Sequence, residues 1–221
     1  MHPLLATATA ALALGCVHRF PSSVALDDPE LEREWRASLF VPQAAIRSQQ
    51  RVVLSLHGSE IDFSVLVVAR EPELLRVVGL TDLGGTLFQV ERDAAGTRVI
   101  QGSPFLDDEF LVDTLVAGLA PIFLGVADEE LRLVRAESGA TALHGTLGKS
   151  EVLFAREHDV TAPDRFDIGL QGELRASIRI LEWNRAPDGE IRFPGRFTLS
   201  DAAGDCRLDF RVIDWRAESP S

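Results

Sequence analysis

This 221-residue chain has no tyrosine, a single lysine (Lys149), one methionine and only two cysteines, Cys16 and Cys206. Neither cysteine stands at a metal-ligand or redox spacing. No apolar run reaches the roughly 20 residues that a membrane-spanning helix needs. Gly-x-Ser-x-Gly, a phosphate-binding glycine loop and His-Glu-x-x-His are all missing. The histidines beyond the N-terminus (His18, His57, His144 and His158) are scattered, none at helical ligand spacing from another. No catalytic residue, metal ligand or cofactor is therefore assigned, and the chain reads as a non-enzyme. It also lacks internal repeats and low-complexity tracts. Positive charge is scarce: the net charge is −12, and residues 1–15 contain no charged side chain, so all of it lies beyond them. Such a surface repels phosphate backbones and anionic headgroups, which argues against nucleic acid as a partner.

The N-terminus is the most specific segment. Leu4 to Leu14 is short, apolar and uncharged, and Gly15-Cys16 closes it. This is the pattern of an export signal with a small residue before the cut. Ala13-Leu14-Gly15-Cys16 resembles the lipobox of bacterial lipoproteins, which implies residues 1–15 as signal peptide and Cys16 as lipid anchor. Each buried CH₂ contributes about 0.8 kcal/mol, so two or three acyl chains hold a protein on a membrane durably. Val17 rather than Asp follows the cysteine, so by the enterobacterial sorting rule nothing here argues for inner-membrane retention, and the expected location is the periplasmic face of the outer membrane. The alternative is an apolar N-terminal helix packed in a core, with Cys16 a buried thiol or paired with Cys206. Residues 16–26 read as a lipidated tether and residues 27–217 as one domain, followed by a frayed tail from Glu218.

Within that domain Asp27-Asp28-Pro29-Glu30 signals a helix start, with Leu31, Trp35 and Leu39 on one face and Pro42 limiting it. From Arg51 the apolar period becomes two, and turn signals at Gly58-Ser59, Gly84-Gly85, Asp188-Gly189 and Ala203-Gly204-Asp205 mark antiparallel hairpins. One segment breaks the alternation. Phe110 to Val126 is apolar except for Asp113 and Thr114, follows the acids Asp107-Asp108-Glu109, and contains Pro121. It predicts a helix over about 108–119 with a turn or kink after it, buried or lining an apolar space. Strands resume from Leu131 to Trp215, with Cys206 on an apolar strand face. The fold class expected is mainly β with a few helices (α+β): a curved antiparallel half-barrel with a central apolar helix as lid or plug.

This order of lipobox, N-terminal helix and strand–helix–strand resembles the LolA/LolB-like lipoproteins. Gly102-Ser103-Pro104-Phe105-Leu106, followed by Phe110 to Val116, is similar to a motif in a proteobacterial outer-membrane lipoprotein family with a domain of unknown function, associated with aryl polyene gene neighbourhoods. The resemblance implies a cavity for an acyl chain or polyene-like molecule beneath the helix. In that reading Leu111, Leu115, Val116 and Leu119 line it from the helix, and Phe63, Val65, Phe88 and Ile178 from the sheet. Partners would be the membrane through Cys16 and a hydrophobic small molecule or lipoprotein acyl chain. The competing reading is a structural or assembly lipoprotein with a fully packed core that binds a protein.

Overall fold

The computed structural model describes residues 18–39, 45–70, 73–158, 162–185 and 192–218. The signal segment, Cys16, Pro42, the Asp188-Gly189 turn and the tail beyond residue 218 lie outside them. Among the described residues thirteen strands form one antiparallel sheet. They are β1 (Ser23–Ala25), β2 (Ala45–Leu56), β3 (Ser59–Arg70), β4 (Leu74–Leu80), β5 (Thr86–Asp93), β6 (Gly96–Gln101), β7 (Arg132–Ala136), β8 (Thr141–Leu147), β9 (Ser150–Ala155), β10 (Arg165–Leu170), β11 (Glu173–Arg185), β12 (Arg192–Asp201) and β13 (Cys206–Glu218). Their order across the sheet is β1-β7-β8-β9-β10-β11-β12-β13-β2-β3-β4-β5-β6. The sheet is curved but open, with β1 and β6 as its edges.

The junction between the two halves of the sequence is the long β13–β2 pairing, which aligns Cys206 with Leu56 and Glu218 with Ala45. Glu218 thus ends a strand where the sequence suggested a tail. Alternation puts Val52, Leu54, Phe63, Val65 and Val67 in the concave core, while Val53, Ser55 and Ser64 take the outer face. The β2–β3 turn is His57-Gly58, one residue earlier than expected, because Leu56 pairs with Ser59 and both turn residues adopt positive φ.

Helix α1 (Pro29–Ser38) starts as the sequence implies. Asp28 Oδ1 accepts from the Leu31 N–H at 3.0 Å, and Pro29 occupies the first turn. Trp35 is buried, with the Arg156 guanidinium 4.1 Å above its ring. The central helix departs from expectation. Asp107 Oδ1 caps the Phe110 N–H at 2.7 Å, a π-helical segment spans Phe110–Val116, and α2 (Ala117–Phe123) continues through Pro121 instead of ending near residue 119. Proline removes one i→i−4 bond and crowds the preceding turn. The wide turns before it supply the slack that lets the helix carry on. Gly118 lets this helix sit on β12, since a Cβ there would lie 2.6 Å from Leu199 Cδ1. No helix among the described residues is long and apolar enough to cross a membrane.

Residues 18–26, expected as a free tether, are sewn to the sheet. The Leu174 N–H donates to the His18 carbonyl at 2.7 Å, the Phe20 N–H to Gly172 at 3.0 Å, and β1 pairs with β7. Phe20 lies over Gly169, where a Cβ would meet its ring at 2.4 Å. It packs on Val134, Ala142 and Leu153. These three face away from the main core, so the strap covers the outer face of β7–β10.

Candidate functional site

The register defines two ends of the half-barrel. At the strap end lie the turns after β2, β8 and β10, the capping residue Asp107 and the attachment of His18. The central helix runs from there to the opposite end, where α1 also finishes. All the expected lining residues meet between sheet and helix. Phe63 and Val65 come from β3, Phe88 from β5, Ile178 from β11, Leu111, Leu115 and Val116 from the π-helical segment, and Leu119 from α2. Each is at most 1% exposed, and all belong to one apolar cluster. Phe63 meets Phe88 edge to face at 6.0 Å. They form one contiguous, tightly packed apolar cluster.

The hollows open elsewhere. At the end opposite the His18 attachment, Leu39, Pro121, Ile122, Phe154, Pro163, Phe166 and Trp183 surround an apolar crevice of only about 10 Å³, the least room that one water requires. Beside it the Trp215 indole is sandwiched, 5.2 Å from the Phe123 ring and 4.8 Å from the Phe193 ring. Composition missed this crevice. The available signal was that Trp183 and Trp215 stand near the C-terminal ends of β11 and β13, strands that run the same way because β12 separates them. The three tryptophans therefore gather at one end.

At the strap end a hollow of about 400 Å³ is lined by Asp107, Glu109, Asp113, Glu173 and Asp201, with Phe110 and Arg175 among its other walls. Asp113 is thus separated from the crevice and faces a polar opening. Arg175 holds Glu173 at 2.9 Å and approaches Glu109 at 3.7 Å. Among the described residues no group of three or more His, Cys, Asp or Glu is placed to hold a metal ion.

Buried polar groups also stand against the apolar interior. Gln50 and Ser48 sit fully buried on the concave side of β2, with Gln50 Nε2 donating to Ser48 Oγ at 3.2 Å while Gln50 Oε1 has no hydrogen-bond partner among the described residues. Cys206 is buried, and burial, helped by Asp201 and Asp107, pushes its thiol up to about 12. It is a small core residue without thiolate chemistry at neutral pH.

No family model and no curated protein matches the sequence. Among solved structures, a LolA superfamily protein from Nitrosomonas europaea superposes at a TM-score of 0.52 with 12% identity, covering 89% of this chain and 96% of that one. The fold resembles the LolA/LolB-like superfamily. A DUF1329 family protein from Desulfovibrio piger matches at a TM-score of 0.51 with 10% identity, over 87% of this chain and 92% of that one. At such identities the likeness to LolA-type structures concerns the fold alone, and no site residue is carried across by it.

Proposed function

We propose that this protein is a lipid-anchored periplasmic carrier at the outer membrane, which takes an acyl-containing or polyene-like molecule between its concave sheet and central helix. The observation that carries this reading is the helix itself: apolar, laid along the hollow of an open sheet, and π-helical over Phe110–Val116. Wide helical turns mark places where a helix adjusts to function. A shift of the helix about that segment would part Leu111, Leu115, Val116 and Leu119 from Phe63, Val65, Phe88 and Ile178. The crevice around Pro121 and Trp183 would be the entrance. Cys16 would carry the acyl anchor. The fold's likeness to LolA-type structures supports a carrier over a catalyst.

The closed interior favours a second reading, a packed lipoprotein that binds a protein partner. A fluorescent fatty acid titrated into the purified chain separates the two. Uptake, together with lipid co-purifying in native mass spectrometry, is the expected outcome; no uptake and no co-purified lipid would leave the partner-binding reading. For the anchor, Cys16→Ser abolishes labelling by radioactive palmitate, and persistent labelling would place the acyl chains elsewhere.

A further inference from the structure

The outer face of β11, β12, β13 and β2 contradicts the net charge. Arg196, Arg211 and Arg51 stand directly opposite one another on three adjacent strands, an arrangement of like charges that destabilises a sheet. Arg51 is neutralised by Asp62 at 2.7 Å and Asp82 at 2.6 Å. Arg196 and Arg211 are exposed and, among the described residues, have no carboxylate partner. They line an outer groove of about 650 Å³ together with Asn184, Glu182 and Asp209. Asp209 is held by Arg207 at 2.9 Å, which leaves Glu182 of β11, directly opposite Arg196 but without an ion pair to it among the described residues, as the groove's remaining acid.

Three register shifts frame this row. One falls between Ile180 and Glu182 on β11, leaving Leu181 as the extra residue, one between Glu182 and Trp183, leaving Gly195 extra on β12, and one between Val212 and Asp214 on β13, leaving Ile213. Leu181 and Ile213 are large aliphatics turned to solvent, 47% and 59% exposed. Bulges re-aim side chains and are found beside working surfaces. Strands about 4.8 Å apart place the whole set within roughly 15 Å across the sheet.

We propose that this face docks on a bilayer, with Arg196 and Arg211 bonding lipid phosphates while Leu181 and Ile213 enter between the headgroups. An acidic protein segment would be satisfied by the arginines alone. The pairing of free guanidiniums with outward aliphatics fits the layered chemistry of a membrane surface. The net charge of −12 sets the long-range field, but within a Debye length of about 8 Å the local arginines dominate. This docking is independent of whether the interior accepts an acyl chain.

The test is flotation of the full Cys16→Ser chain with vesicles of phosphatidylcholine, alone or with one third phosphatidylglycerol. The phosphatidylcholine arm gives the baseline from the uncleaved apolar N-terminus. Binding above that baseline is expected on the anionic vesicles only, and it falls as salt is added. Arg196→Gln with Arg211→Gln lowers it about 25-fold, at about fivefold for each basic residue. Leu181→Ser with Ile213→Ser lowers it on the same vesicles, and thermal melting checks that both pairs of variants stay folded. Equal binding to the two vesicle types, or a double arginine variant that floats like its parent, overturns the proposal. Binding of polyglutamate without vesicle binding also overturns it and assigns the face to an acidic protein partner.

Discussion

The two flanks of the sheet solve the same burial problem differently. In β2–β4 every second side chain enters the core and the intervening ones meet water, so one face is enough. In β8–β10 consecutive residues are buried, as in Val152-Leu153-Phe154 and Phe166-Asp167-Ile168, because α1 and the main core take one face and the strap takes the other. A strand covered on both sides reads as a continuous apolar run, not as an alternation. The practical difference is tolerance: the outer face is replaceable on one flank and structural on the other.

That contrast is sharpest for a charge placed on each outer face. Leu153→Asp puts an unpaired carboxylate beneath Phe20 and should destabilise by about 4 kcal/mol. Val68→Asp, on the outer face of β3 between Arg47 and Arg76, should change stability by less than about 1 kcal/mol. Urea denaturation of both variants measures the pair. Equal losses would mean that the strap does not bury the β7–β10 flank in solution.

The strap contact supports a second, smaller break. Gly169→Ala directs a methyl into the Phe20 ring, at a cost of about 1–3 kcal/mol. Phe20→Ala removes that ring, which is only partly buried, and should cost about 2 kcal/mol. In the double variant the methyl has room, so the two losses should sum to more than is observed. A double-mutant cycle with no coupling would show that Phe20 and Gly169 are not in contact.

The same contrast explains what the sequence disclosed. On the alternating flank, Val52-Val53-Leu54-Ser55 and Ile61 to Val67 announce both strand and face, and Phe63 and Val65 are inward as expected. Leu111, Leu115, Val116 and Leu119 were recognisable because a segment with only Asp113 and Thr114 to offer water must be buried. The strap was not legible. Pro21-Ser22-Ser23 has tether chemistry, and its role comes from Phe20 meeting a glycine nearly 150 residues away in sequence. Pro121 misled for a local reason, since the relief that keeps the helix going lies in the π-helical turns before it. The crevice escaped because its walls come from Leu39 just past α1, from α2, from Pro163 and from β9–β11, and no periodicity within one element reports that meeting.

The smallest expected effect lies on the alternating flank, where outward charges carry what little the outer face contributes. Glu91 on β5 is buried and is held by Arg76 at 2.5 Å and by Arg98, which also binds Asp93. The Arg76 hydrogen bond, against the opposing effect of burial, holds its carboxyl below the usual carboxylate range. A carboxyl lowered in the folded state contributes stability above its unfolded value of about 4.3. That contribution fades as pH falls from there through the folded value. Both arginines are about half exposed, so screening keeps the gain to about 1 kcal/mol. Glu91→Gln should therefore lower stability at neutral pH by about that amount, and its stability should fall less than the parent's as pH drops below about 4. Parallel acid limbs for the two proteins would show that the Arg76–Glu91–Arg98 cluster does not hold β6 to the sheet.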